Sequence, residues 1–86
     1  MSPTTALHDV VAAVDAFVAL RAPGVAIAGD TPMFALGLLD SVALVDLVAL
    51  LEDTLGIVVL DEELVPSHFA TRDRIVDFVR RKREER

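Results

Sequence analysis

From residue 42 to residue 51 the chain reads Val-Ala-Leu-Val-Asp-Leu-Val-Ala-Leu-Leu, and Asp46 is its one charged residue. A helix built from these residues is apolar nearly all round, so in water it has to be covered by several other elements. A two-helix hairpin cannot hide it. Its ends are marked. Asp40 precedes it as a side chain that can accept the unpaired N–H groups of a first turn, and Gly56 follows it as a stop, predicting a helix over 41–55.

The rest of the chain supplies the cover. Thr4 or Thr5 can cap a first helix over about 6–20, with Leu7, Val10, Val11, Val14, Phe17 and Val18 at the spacing of one apolar face. Ala22-Pro23-Gly24 ends it. A connection over 21–39 follows, longer than compact domains tolerate without a use for it. Its Val25, Ile27, Met33, Phe34 and Leu36 are expected to tether it to the core. Residues 61–66 predict a short third helix, capped by Asp61 and terminated by Pro66, with Ser67-His68-Phe69 as a bridge. Thr71 caps a last helix to about residue 82, its stripe made by Ile75, Val76, Phe78 and Val79. The fold class is all-α, a four-helix bundle with a long loop between its first two helices and a short third helix. Residues 1–86 form a single domain, frayed at 1–5 and 83–86.

Composition excludes several function classes. An 86-residue chain has room for a core but hardly for an enzyme cleft. Its 53% hydrophobic content excludes disorder, yet no apolar run approaches the roughly 20 residues that a membrane helix needs. No basic-then-apolar leader is visible at the N-terminus, which predicts a cytoplasmic protein. The absence of cysteine removes disulfides, thiolate nucleophiles and the usual zinc sites. Residues 1–70 carry one base, Arg21, against ten acids, whereas residues 71–86 carry seven bases against four acids. An acidic body repels nucleic acid and suits basic partner surfaces. The basic C-terminal run is read as a solvated helix end that complements the helix dipole.

Chemistry concentrates at Ser41. A serine in a first helical turn is most often only a cap. A hydrolytic role with His8 or His68 as base lacks a Gly-x-Ser-x-Gly elbow and walls to exclude water. Two isolated histidines make no metal site. The surroundings of Ser41 carry more. Gly37-Leu38-Leu39-Asp40-Ser41-Val42, the acidic Asp46 five positions on, and Glu52-Asp53 running into Leu55-Gly56-Ile57 resemble the attachment site and second helix of acyl and peptidyl carrier proteins, over about 34–79.

That resemblance implies a carrier and no catalysis. Ser41 would bear a 4′-phosphopantetheine arm through a phosphodiester, where helix N–H groups favour negative charge. Asp40 would shape the turn and help the modifying enzyme bind. Asp46, Glu52 and Asp53 fall where the family presents carboxylates to basic enzymes, Val42 and Leu44 would form a hydrophobic spot if they face outward, and His68 would lie near the arm. The implied partners are a phosphopantetheinyl transferase, a loading enzyme (adenylating ligase or acyltransferase) and a downstream synthase, with the chain itself a monomer. The Gly-Leu-Leu-Asp-Ser form resembles discrete carriers that receive aminoacyl groups, including D-alanyl carriers, and the Arg-, Ala- and Val-rich usage suggests a GC-rich genome. Hence the expectation is a natural-product carrier of polyketide or nonribosomal type. The alternatives are a D-alanyl or fatty-acid carrier, or an unmodified helical adaptor.

Overall fold

The computed structural model describes residues 3–84, with side chains from residue 8 onward. Three α-helices carry the architecture: α1 (Pro3–Arg21), α2 (Ser41–Leu55) and α3 (Arg72–Glu84), with two 3₁₀ turns, Asp61–Glu63 and Pro66–His68, between α2 and α3. None is long and apolar enough to cross a membrane. The first helix begins at Pro3, so Thr4 and Thr5 lie inside its first turn and do not precede it as caps. Residues 1, 2, 85 and 86 lie outside the described residues, whereas residues 83 and 84, expected to fray, are helical.

The core forms where α1 meets both α2 and α3. Val10, Val14 and Val18 of α1 are buried against Leu47 and Leu51 of α2 and Ile75 and Val79 of α3, with Met33 and Phe69 from the connections fully enclosed among them. Leu7 lies among the side chains that are not described. Contrary to the expectation for α2, this helix is covered on one side only. Ala43, Leu44, Leu47, Val48, Leu51 and Leu55 face inward, and Val42, Val45 and Ala49 face solvent.

The stretch expected to form the third helix differs as well. Instead of one α-helix over 61–66 there is a single 3₁₀ turn, Asp61–Glu63, and Pro66 opens a second turn where it was expected to end the first. Proline excludes the α region for the residue before it, and Val65 is accordingly extended at φ −114° and ψ 139°. Too few residues remain for a helix to repay its nucleation. Asp61 lies within the turn, and Leu60 precedes it in extended conformation.

Side chains hold this stretch in place. Glu52 of α2 accepts the Val59 N–H at 2.9 Å, and Oε1 of Glu63 accepts both the Leu60 N–H at 3.0 Å and Nζ of Lys82 at 2.8 Å. Arg83 donates to the Leu55 carbonyl at 3.1 Å, tying α3 to the end of α2. The basic C-terminal run is therefore not a simply solvated helix end. Lys82, with a side chain 14% exposed, fixes the α2–α3 connection, while Arg80 and Arg81 pair with Asp77. The Arg72–Asp15 ion pair at 2.7 Å fastens the other end of α3 to α1.

The Glu63 arrangement gives a pH dependence with a defined sign. The Lys82 ammonium, then the Leu60 N–H, hold the Glu63 carboxyl below the usual carboxylate range. A depressed folded-state pKa contributes stability that is present above the unfolded value of about 4.3 and is lost as pH falls through the folded value. Glu63→Gln is therefore expected to cost about 1 kcal/mol at pH 7, below the full range of a hydrogen bond to a charged group because solvent screens part of the interaction. The cost should shrink below pH 4. Urea unfolding of both proteins at pH 7 and pH 3 measures it, and an equal difference at the two values would refute the assignment.

Candidate functional site

The long connection is built to deliver residues 40 and 41. Thr71 caps α3 by accepting the Arg74 N–H, and Gly29 seats the connection against that helix end. The Gly29 carbonyl accepts the Asp73 N–H at 2.9 Å, and a Cβ at residue 29 would meet the Asp73 carboxylate at 2.3 Å, so a larger residue there would have to push that side chain aside. Met33, fully buried, donates its N–H to Ala70 O, and its own carbonyl accepts from Leu38 and Leu39. Gly37 turns the chain between them at φ +76°, a conformation that side chains with a Cβ avoid. Met33 and Leu39 are the main anchors, aided by Ile27, Phe34 and Leu38. Val25 and Leu36, expected as tethers, are exposed because the connection turns them away from the core.

Leu39 is buried and Ser41 is exposed, so the chain surfaces within two residues. Asp40 adopts the extended conformation of a cap, at φ −141° and ψ −174°. Its Oδ1 accepts the Ala43 N–H at 2.8 Å, and its carbonyl accepts the Leu44 N–H at 2.8 Å. The Ser41 and Val42 N–H groups are the remaining donors of that first turn, for which a helix has no internal acceptor. Ser41 thus stands at the first position of α2 with its hydroxyl free of the capping role.

A phosphodiester fits there. The donors are uncommitted N–H groups and the helix dipole, both suited to an anion, and Ser41 is open to solvent. No described hydrogen bond links Ser41 to His8 or His68. His8 is exposed, and His68 packs its ring on Phe78 at 4.9 Å between centroids, in a shallow hollow with Glu63, Arg81 and Lys82.

The family model described as a phosphopantetheine attachment site matches residues 17–78, most of the chain, including all of the connection, Ser41 and α2. The protein belongs to this family. It is thus a phosphopantetheine-carrying carrier protein, a class that holds the group covalently. Comparisons with curated proteins and with solved structures give no match.

The carrier's α2 brings together some of the expected surface residues and removes others. Val42, 74% exposed, and the exposed Asp46 and Asp53 share the outer side of the helix. Leu44 does not join them. It is 6% exposed, because position 44 falls on the side that carries Leu47 and Leu51 into the core. Glu52 is half-buried, its carboxylate turned to the Val59 N–H. Sequence reasoning missed Val45, whose exposed side chain extends the apolar spot that Leu44 was to supply; its helical spacing of three from Val42 was the available signal. It also missed Arg21, which reaches Asp40 across the fold.

Proposed function

We propose that Ser41 is the residue that bears the phosphopantetheine arm and that the protein carries acyl or aminoacyl groups between enzymes without catalysis of its own. The observation that carries this is an exposed hydroxyl on the first residue of α2, next to an aspartate already committed to the cap, inside the segment matched to the attachment-site family. When bound, the arm supplies a thiol for thioester linkage, which a chain without cysteine lacks. Asp40 orders the first turn and presents Ser41 to a phosphopantetheinyl transferase. Given coenzyme A, magnesium and such a transferase of broad specificity, the chain should gain the mass of one phosphopantetheine unit. A folded chain that gains none would leave an unmodified adaptor as the better description.

We further propose that the outer side of α2, Val42 and Val45 flanked by Asp46 and Asp53, meets the loading enzyme and a downstream synthase. The Gly-Leu-Leu-Asp-Ser sequence supports cargo from an adenylating ligase or acyltransferase in a polyketide or nonribosomal pathway, because it resembles aminoacyl-receiving carriers. Exposed carboxylates steer basic partners over a distance set by salt. Reversing Asp46 and Asp53 to lysine should therefore slow transferase association several-fold at low salt, flatten its salt dependence, and leave the fold intact. Stopped-flow association at two ionic strengths checks this, and unchanged rates would exclude those carboxylates from docking.

A further inference from the structure

Arg21 is the single base among the first seventy residues, set against ten acids. It ends α1, where a cation complements the helix dipole. From there its guanidinium lies over the Phe17 ring, 5.7 Å from the centroid, with Nη2 4.0 Å from Oδ2 of Asp40. The other carboxylate oxygen of Asp40 is occupied by the Ala43 N–H. A separation of 4.0 Å makes an ion pair but not a hydrogen bond. Among the described residues no acceptor takes a hydrogen bond from this guanidinium.

So the one cation of the acidic body is aimed at residue 40 with its donors unspent, and residue 41 bears the exposed hydroxyl. A guanidinium is a planar fork of five donors that suits carboxylate and phosphate oxygens alike. A phosphodiester on Ser41 adds a negative charge beside Asp40, and like charges so close repel. Arg21, already paired with Asp40, is the group positioned to offset that repulsion.

We propose that Arg21 is a phosphate-holding residue, its guanidinium bridging Asp40 and the phosphodiester oxygens once the arm is on Ser41. This rests on Ser41 as the attachment point. The contact restrains the root of the arm against the end of α1 and leaves the remainder of the arm free, so that cargo sweeps from a fixed origin. Arg21 touches the group it holds and takes no part in a bond-making step.

The test uses the full chain before and after modification with coenzyme A, magnesium and a transferase, attachment being verified by intact mass. The side-chain Nε–H resonance of Arg21 should move on modification, while those of Arg74 and Arg80 stay in place. The ³¹P resonance of the modified chain should differ between the unsubstituted protein and Arg21→Gln, with Arg21→Lys between them. That difference should fade as salt rises from about 0.1 M, where screening acts over about 10 Å, to about 1 M, where it acts over about 3 Å. A role confined to the Asp40 pair would alter stability in Arg21→Gln but would not move the Arg21 resonance on modification. Modification at Ser41 with an unmoved Arg21 resonance overturns this inference alone. Failure to modify Ser41 overturns the attachment assignment and this inference together. Should Arg21→Gln fail to fold, the before-and-after comparison in the unsubstituted chain decides.

Discussion

Ser41→Ala should abolish modification completely and leave the domain folded. The two expectations come from different atoms. On the proposed assignment the Ser41 oxygen is the nucleophile that receives the phosphopantetheinyl group, and no other serine or threonine lies in α2 before Thr54. Thr54 is at the far end of α2, Thr71 caps α3 through its own oxygen, and Ser67 lies in a 3₁₀ turn preceded by no aspartate. Stability depends instead on Asp40, whose carboxylate makes the capping bond to Ala43. Alanine is the best helix former, and an exposed substitution away from special contacts stays within about 0.5 kcal/mol. Intact mass after incubation with coenzyme A and transferase reads the first expectation, and a circular-dichroism melt reads the second. Residual mass gain in folded Ser41→Ala would place the arm on another hydroxyl.

Asp40→Ala separates the two roles from the other side. It removes the cap and the Arg21 partner while keeping the hydroxyl. A cap of this kind contributes about 1 kcal/mol. What it costs in modification rate beyond that loss reports how far the ordered first turn matters to the transferase.

The parts of this structure that were legible in the sequence are those whose cause is local. Asp40 and Gly56 bound α2 because a cap and a left-handed stop act within a few residues, and Thr71 starts α3 for the same reason. The stripe of α3 repeats at helical spacing, and Ile75, Phe78 and Val79 are all buried. The third helix failed because apolar and acidic residues over 61–66 look helical one by one, whereas Pro66 acts on its predecessor and leaves room for only one turn. The inner and outer sides of α2 are weakly marked by pattern, since both carry valine and only Asp46, Asp53 and their helical spacing label the outer one. Tertiary contact decides between them. Pairings such as Arg21 with Asp40, Lys82 with Glu63 and Arg83 with Leu55 O span 19 residues or more and carry no periodic signal.

That ambiguity within α2 yields the second large expected effect, a contrast between Val42→Asp and Leu44→Asp. The two sites are two residues apart and both apolar, and a sequence-based scan would treat them alike. Val42 is 74% exposed, so a carboxylate there stays in water and changes stability by about 0.5 kcal/mol or less. Leu44 is 6% exposed and packed in the core. Truncating a buried leucine alone costs about 2–5 kcal/mol, and an unpaired carboxylate adds several more or has to take up a proton. Domains of this size have roughly 5–10 kcal/mol in total. Leu44→Asp should therefore be largely unfolded at pH 7, regaining some helicity as the new carboxyl is protonated at lower pH. Val42→Asp should melt like the parent yet be modified and loaded more slowly, because it sets a charge in the apolar spot beside Ser41 that a partner would cover. Circular dichroism and transfer rates on the two variants settle the orientation of α2. A folded Leu44→Asp that transfers poorly would mean that Leu44 faces partners after all, and that the core is closed from another side of the helix.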